Sequence, residues 1–282
     1  MLSQYTKRTL TNEGDAFRAL TGIMRRICDK FRQSMLSVLP VSAFDQFLLF
    51  SGKNLRRRRG FPSFSWARWR GELGVHMVHE SLSVWQDNGN WIVWYKRSPN
   101  GTDEPVDKVV NTRQSAQSAI KLECMEVTSF TTTPTPFIRV TNRDDLLPPP
   151  YPVLRFWSLS LRFKIGEVDV FAATARLFDA KGGMCGVVTL DGLEDTKFFE
   201  SQEPMEIILL SKSKLPMPVT EDFDFDRNNR LVGTEQYGLF YNVMLLGWDG
   251  VIAERRGIGF IDKKLIHGGF APSPVWKEIT LG

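Results

Sequence analysis

A length of 282 residues with 42% hydrophobic and 24% charged residues excludes a disordered chain and a fibrous one, because these values lie close to the globular average. Eight Trp and 20 Phe supply large apolar side chains, so the chain is expected to bury a core without disulfides or metals. Its 36 basic residues barely exceed its 32 acidic ones, whereas nucleic-acid-binding proteins concentrate basic charge on one face. No nucleic-acid partner is therefore expected.

The cysteines and the N-terminus indicate the cellular compartment. Cys28, Cys124 and Cys185 are widely spaced and form no Cys-x-x-Cys pair, whereas a secreted disulfide scaffold has more cysteines in even number. Reduced and mostly buried thiols are therefore predicted. The N-terminus lacks a signal-peptide pattern, and no apolar run reaches the ~20 residues of a membrane helix. These features predict a cytoplasmic protein that makes no use of a membrane.

Residues 1–50 are predicted to form amphipathic helices. The apolar residues of the first helix recur at spacings of three and four, which places them on one face. They are Phe17, Leu20, Met24, Ile27 and Phe31. Thr11 or Asn12 is the expected cap, with Asp15 three residues after Asn12. A second helix is expected to begin at Ser42, with Asp45 as its capping partner. It is expected to run through Phe44, Phe47 and Leu48.

Residues 51–145 are predicted to form a mixed, Trp-rich β segment. Gly52, the arginine run Arg56–Arg59 and the stretch from Gly60 to Ser63 indicate a loop. Residues 91–95, from Trp91 to Tyr95, are apolar without alternation and follow a turn-like Asp87-Asn88-Gly89-Asn90, which predicts a strand buried on both faces.

Two proline-rich stretches within residues 131–152 mark the best candidate boundary or surface excursion. Proline at this density favours extended, unpaired backbone. The second stretch, Pro148-Pro149-Pro150-Tyr151, also fits the ligand core of a WW domain, since its polyproline helix is preformed. A plain surface linker is the alternative.

Residues 146–282 are predicted to be an antiparallel β-rich region. Trp157, Leu159, Leu161, Phe163 and Ile165 alternate with Ser158, Ser160, Arg162 and Lys164, which predicts a strand with one wet face. Residues 205–210, 239–246 and 251–261 are strand-like, and Asp249-Gly250 is a hairpin signal. Gly257 and Gly259 indicate a bulge or a close backbone approach. The predicted fold class is α+β, with N-terminal amphipathic helices followed by a mainly antiparallel β-rich domain.

Two groups of residues are candidate metal sites. His76 and His79 lie three residues apart beside Glu80, but zincin-type sites need a spacing of four with the glutamate inside the motif. Asp222, Asp224 and Asp226 alternate with phenylalanines and resemble a hard-cation site, without the glycine and glutamate of an EF-hand. Ordinary histidines and solvated acids are the alternative interpretation, so no metal-ligating residue is assigned.

No catalytic or cofactor-binding residue is assigned either. The chain has no Gly-x-Ser-x-Gly elbow, no phosphate-cradling Gly-x-x-x-x-Gly-Lys and no Gly-x-Gly-x-x-Gly after a strand. The arginine run has two interpretations: a nuclear-import or phosphate-contacting patch, or a solvated loop whose charges pair with acidic neighbours.

Three sets of residues, spread over nearly the whole chain, carry a family resemblance. The first is Tyr5, Arg8, Leu10, Thr11, Asp15, Ala19, Gly22 and Ile23. The second is Phe44, Asp45, Leu48 and Leu49 with residues 61–71, Phe-Pro-Ser-Phe-Ser-Trp-Ala-Arg-Trp-Arg-Gly. The third is residues 241–245, 253–255, 257–259 and 276–282. In order and spacing they resemble the region that follows and completes the HET domain of fungal heterokaryon incompatibility (HET) proteins.

The resemblance has two departures and one gap. Phe64 and Arg68 stand where the family run has Trp and Gly, and an arginine in a glycine conformation adds strain. The family's HET domain proper, thought to resemble TIR domains and to trigger cell death, lies upstream of the matched region. The resemblance therefore implies a truncated or diverged relative, onto which no effector residue can be carried over.

These observations predict a non-catalytic interaction or regulatory protein related to HET proteins, which act in non-self recognition and programmed cell death. It is expected to act on an unknown protein partner and to need no cofactor. The alternative is an unrecognised hydrolase or metal-dependent enzyme that uses His76, His79 or the carboxylates of Asp222, Asp224 and Asp226.

Overall fold

The computed structural model describes residues 34–75, 91–98, 101–106, 116–120, 151–193, 203–217 and 236–282, with isolated positions within residues 6–29, at 123–124 and at 199. Described residues form mainly antiparallel β-sheet. The strands are β1 (Met35–Leu36), β2 (Leu39–Pro40), β3 (Phe50–Arg57), β4 (Trp69–Val75), β5 (Tyr95–Arg97), β6 (Asp103–Pro105), β7 (Val153–Asp169), β8 (Thr174–Phe178), β9 (Met184–Leu190), β10 (Met205–Met217), β11 (Gln236–Asp249), β12 (Ile252–Asp262) and β13 (Val275–Leu281). The helical elements with described bounds are α1 (Phe44–Leu48) and 3-10 turns at Val41–Ala43, Trp66–Arg68 and Lys263–Gly268, and residues 116–120 are also helical.

The predicted α+β class with N-terminal amphipathic helices is wrong, because the described chain is mostly β and its helices are short. The five apolar residues that define the first predicted helix, Phe17, Leu20, Met24, Ile27 and Phe31, lie outside the described residues. The second predicted helix is present as α1 but is not capped by Ser42, since its N-cap is Ala43 without a side-chain cap bond. A five-residue helix is marginal by itself. Packing holds it, with Phe44 and Leu48 fully buried.

Six long strands, β7 to β12, pair into a closed ring. The order is β7-β8-β9-β12-β11-β10 and back to β7, and every one of these pairings is antiparallel. All six strands lie within residues 146–282, the region predicted to be antiparallel and β-rich. Closure leaves none of the six strands as a free sheet edge.

The register of the ring places apolar side chains on one common face. Leu161, Ile207, Leu245, Gly257 and Leu190 are successive cross-strand partners, so they project to the same side. The four leucine and isoleucine side chains among them are fully buried, and each contributes about 1.5–3 kcal/mol by burial. This face is part of one continuous core that also takes in residues of α1, β3 and β4.

The predicted hairpin and the predicted glycine positions on β12 are confirmed. Asp249 pairs with Ile252 across a two-residue turn in which Gly250 has φ +57°. A β-bulge leaves Arg256 as the extra residue of β12, because Leu245 pairs with Gly257 while Leu246 pairs with Arg255.

Two strand predictions need correction. Residues 91–94 are buried on both faces as predicted, but hydrogen-bonded strand begins only at Tyr95. On β7, Ser158 and Ser160 are buried whereas Trp157 is 38% exposed. The two buried serines are satisfied within the protein, because Ser158 donates to the carbonyl of Leu209 at 2.5 Å and Ser160 donates to Glu206 at 2.6 Å.

Three further strands extend the sheet beyond the ring. β13 pairs with β7 over Val275–Leu281, and the hairpin β5–β6 pairs with the start of β7. The sequence β6-β5-β7-β13 therefore forms a continuous face beside the ring. No helix in the described part of the chain has both the length and the apolarity to cross a bilayer.

Candidate functional site

A cleft of about 380 Å³ lies on the face made by β6, β5, β7 and β13. Two of its lining residues, Val93 and Phe156, belong to the buried core. The others are polar or aromatic and reach solvent. They are Tyr95, Asp103, Gln117, Arg155, Trp157 and Glu278. A volume of this size lies within the range of ligand-binding clefts.

Strand register explains why these side chains meet. Arg155 and Trp157 lie two residues apart on β7, so they project to the same face. Tyr95 of β5 is the cross-strand partner of Arg155, and Glu278 of β13 is the cross-strand partner of Trp157. β7 thus gathers groups from both of its neighbours onto one surface.

Four charged side chains in the cleft face form one chain of ion pairs. Arg97 holds Asp103 by two bonds, with Nε 2.8 Å from Oδ1 and Nη2 3.0 Å from Oδ2. Arg155 also contacts Asp103, and its Nε lies 2.6 Å from Oε1 of Glu278. The run Arg97–Asp103–Arg155–Glu278 has two positive and two negative members, so its formal charges cancel.

The ion pairs hold Asp103 and Arg155 in their charged forms. Hydrogen bonds from Arg97 and then from Arg155 lower the pKa of Asp103 to about 2. Hydrogen bonds to Glu278 and to Asp103 raise the pKa of Arg155. A general acid among paired carboxylates needs a raised pKa. The pKa of Asp103 moves the opposite way, so this carboxylate accepts hydrogen bonds and has no proton to give at neutral pH.

An aromatic surface adjoins the charged chain. The ring of Trp157 is stacked on that of Trp276, with centroids 6.5 Å apart and planes inclined by 17°. Below them, Phe156 packs against Trp94 at 4.3 Å between centroids. The indole of Trp157 is therefore exposed on one side and packed against Trp276 on the other.

A second polar centre is buried between β3 and the ring. The guanidinium of Arg255 is fully buried, with Nε 2.7 Å and Nη2 2.8 Å from the carboxylate oxygens of Asp191. It donates to the carbonyl of Leu48 at 2.7 Å and to that of Phe50, whose ring lies 3.6 Å away. Burial raises the pKa of Asp191 and lowers that of Arg255. These bonds join α1 and β3 to the closed ring.

The arginine run lies at this same junction, and the loop predicted around it begins only at Arg58. Arg56 and Arg57 are in β3. Arg58 is only 2% exposed and donates to the carbonyl of Trp69 at 2.6 Å. Arg57 contacts Glu254 at 3.4 Å. Arg56 and Arg59 are exposed, so the run has two solvated members and two that are bonded within the protein.

The segments that carry the family resemblance meet at this junction. Ser63 accepts a hydrogen bond from the amide of Arg255 at 2.9 Å, and its own amide donates to the carbonyl of Gly282 at 2.8 Å. Arg68 lies 2.9 Å from Glu254. Arg68 belongs to a 3-10 turn and is not among the residues with positive φ, so the strain expected at this position is absent.

A third cluster surrounds Tyr241. Its hydroxyl donates to Glu123 at 3.2 Å and lies 3.8 Å from Sγ of Cys124, while Lys212 lies 2.6 Å from Glu123. Burial raises the pKa of both the Cys124 thiol and the Tyr241 phenol. At neutral pH this thiol is protonated and is not a nucleophile.

The cysteine prediction is confirmed, since all three thiols are free and Cys124 and Cys185 are buried. Both candidate metal sites lie outside the described residues. They are His76, His79 and Glu80, and Asp222, Asp224 and Asp226. Within the described residues, no three His, Cys, Asp or Glu side chains are grouped to hold a metal ion. Pro148, Pro149 and Pro150 also lie outside them.

Sequence patterns gave little sign of the cleft. Its charged members Asp103, Arg155 and Glu278 are separated by up to 175 positions, and strand register brings them together. The local pattern on β7 pointed the other way, because its alternation placed Trp157 on the apolar face. Neither a family model, nor a curated protein, nor a solved structure matches this chain.

Proposed function

We propose that the chain is a non-catalytic recognition or regulatory protein of the cytoplasm, related to fungal HET proteins, and that it binds a protein partner through the cleft face. The observation that carries this proposal is Trp157, exposed and stacked on Trp276 beside four mutually paired charges. Trp, Tyr and Arg are the side chains enriched at the energetic centres of protein interfaces. The cleft presents Trp157, Tyr95 and Arg155 side by side.

Binding without turnover is supported by the state of the ionisable groups. Asp103 is held ionised by Arg97, and burial keeps the thiols of Cys124 and Cys185 protonated at neutral pH. The carboxylate of Asp103 is therefore not poised for proton transfer, and neither thiol is poised for nucleophilic attack. The metal-enzyme alternative rests on residues outside the described ones and stays a separate prediction.

The proposed relation to HET proteins is supported by how the resembling segments pack. Residues 61–71, 253–255 and 276–282 are far apart in sequence, yet Ser63, Arg255 and Gly282 are joined by hydrogen bonds. Segments that form one structural unit are expected to be retained together, and those three segments carry much of the resemblance.

Site-specific cross-linking tests the binding proposal. A photoreactive phenylalanine is placed at Tyr95 in the cleft or at Phe171, which is 92% exposed in the turn between β7 and β8. The variants are expressed in fungal cells and irradiated. We expect a defined protein adduct from position 95 that disappears when Trp157→Ala is added. Identical adducts from both positions, or an adduct insensitive to Trp157→Ala, would refute the proposal.

Expression in a fungal host tests the relation to HET proteins. The resembling segments belong to the region after the presumed effector, so this chain alone is expected not to trigger cell death. Death of cells that express only this chain, with the Trp157→Ala variant equally lethal at the same expression level, would contradict the proposed regulatory role.

A further inference from the structure

We infer that the segment of the partner held in the cleft is an uncharged, proline-rich stretch in polyproline II conformation. This inference rests on the proposed binding function and names the chemistry of its ligand. It follows from three properties of the cleft: its charge balance, the spacing of its aromatic rings and its hydrogen-bond donors.

The charge balance disfavours a charged ligand. Both carboxylates of the ion-pair chain are engaged by arginines, Asp103 by two of them and Glu278 by Arg155. An acidic or basic ligand side chain has to displace one of these internal partners before it can pair. An uncharged segment leaves the whole chain Arg97–Asp103–Arg155–Glu278 intact.

The spacing of the aromatic rings matches a polyproline helix. Tyr95 is paired with Arg155, and Trp157 lies two residues farther along β7, so Tyr95 and Trp157 are diagonal neighbours. Such neighbours lie about 7–8 Å apart on a sheet, while one turn of polyproline II rises ~9 Å. Proline rings one turn apart can therefore pack against the two aromatic side chains, as they do in other aromatic-lined grooves.

The rigidity of the surface favours a ligand that is itself preformed. Stacking on Trp276 restrains the ring of Trp157, and the ion pairs restrain Arg155. A polyproline helix has few conformations to lose on binding, so it loses little entropy.

The polar groups of the cleft suit the backbone of such a helix. A polyproline helix makes no internal hydrogen bonds, so its carbonyl oxygens remain acceptors. The amide of Gln117 and the hydroxyl of Tyr95 are donors in the cleft. Arg155 adds a planar group with five N–H donors, and its Nη2 is in neither of the two ion pairs named above.

The probe is a synthetic peptide with the sequence of residues 146–152, Leu-Leu-Pro-Pro-Pro-Tyr-Pro, with both ends blocked so that it carries no charge. Its affinity for the full chain is measured by titration calorimetry. We expect saturable binding that weakens at least tenfold in Trp157→Ala. The Phe171→Ala variant, which changes a more exposed aromatic outside the cleft, is expected to bind as the unaltered chain does.

Two altered peptides complete the test. A peptide with alanine at each proline loses the preformed helix, and one with lysine at both leucines introduces charge; both are expected to bind at least tenfold more weakly. Equal binding of either altered peptide, equal binding to Trp157→Ala, or no binding of the parent peptide at millimolar concentration refutes the inference. If the peptide fails while the Trp157-dependent cross-link at position 95 persists, the ligand class is wrong and the proposed binding face stands. If both fail, the proposed function falls too.

Discussion

Replacing Arg255 by methionine is the most informative single perturbation of the fold. Methionine keeps an apolar stem but removes the guanidinium, which bonds to Asp191 and to the carbonyls of Leu48 and Phe50. The substitution leaves a buried carboxylate and two buried carbonyl oxygens without that donor. The consequence is a loss of both charge compensation and hydrogen bonding at the junction between β3 and the ring.

The expected magnitude follows from these contacts. Breaking a buried ion pair costs about 3–5 kcal/mol, and each carbonyl that loses its donor adds about 1 kcal/mol or more. Because burial already raises the pKa of Asp191, protonation of that carboxyl limits the charge component. We expect a loss of about 5 kcal/mol for Arg255→Met and about 3 kcal/mol for Asp191→Leu, in which the guanidinium of Arg255 keeps its two carbonyl partners. Total stabilities are about 5–15 kcal/mol.

A double variant keeps the test informative even if Arg255→Met folds poorly. Arg255→Met combined with Asp191→Leu replaces the pair by apolar groups and leaves no buried charge, so it is expected to cost several kcal/mol less than the sum of the single changes. Urea unfolding followed by tryptophan fluorescence measures all three, with Arg176→Met on the exposed side of β8 as a control within about 0.5 kcal/mol. A loss below about 1 kcal/mol for Arg255→Met, or additive costs in the double variant, refutes this reasoning.

Three further predictions concern single groups. Hydrogen bonds from Arg97 lower the pKa of Asp103 from 3.8 to about 2. Its ionised form therefore stabilises the fold above the unfolded pKa, and that stabilisation is lost as the pH falls through 2. The free energy of unfolding is expected to depend less steeply on pH between pH 4 and pH 2 in Asp103→Asn. Burial raises the pKa of Cys185 to about 12, so a thiol reagent at pH 8 is expected to modify it only after unfolding, and after the more exposed Cys28. Gly259→Ala is expected to cost at least about 1–3 kcal/mol in urea unfolding, since its Cβ would lie 2.0 Å from a carbonyl oxygen of β9.

Each of these has a matched control and a contradicting outcome. Glu104→Gln changes the exposed neighbour of Asp103 and is expected to keep the slope between pH 4 and pH 2; an unchanged slope in Asp103→Asn contradicts the ion-pair account. Rapid modification of Cys185 in the native protein contradicts its burial. Gly74→Ala, where no atom lies within 4 Å of the added Cβ, is expected to be nearly neutral, and a similar cost at positions 74 and 259 contradicts the close-packing explanation.

The sequence predicted strands well where the signal is local. The hairpin at Asp249-Gly250 and the close approach at Gly259 are properties of a few adjacent residues, and both are present. The cleft is different, because Asp103 and Glu278 reach Arg155 only through the pairing of β6 with β5 and of β5 and β13 with β7. Alternation along one strand carries no information about its partners.

Buried charges were the other kind of feature that the pattern missed. Arginine is almost never fully buried unless it is paired, so the arginine run was interpreted as a loop. In the structure, Arg58 satisfies a carbonyl of Trp69 and Arg255 satisfies Asp191, 64 positions away. Neither partner can be identified from the residues around the arginine.

The buried pair and the cleft are linked by direct contacts. Arg255 bonds to the carbonyl of Leu48 at the end of α1. Within α1, Asp45 accepts a hydrogen bond from the indole of Trp94 at 2.5 Å, and Trp94 packs on Phe156 in the lining of the cleft. A buried ion pair contributes little net stability compared with an apolar replacement. The Arg255–Asp191 pair instead supplies directional hydrogen bonds, and these can form only when α1 lies in one position. The position of α1 in turn supports Trp94 and Phe156 beneath the exposed aromatic surface. The double variant Arg255→Met with Asp191→Leu is therefore expected to lose more of its affinity for a cleft ligand than of its stability.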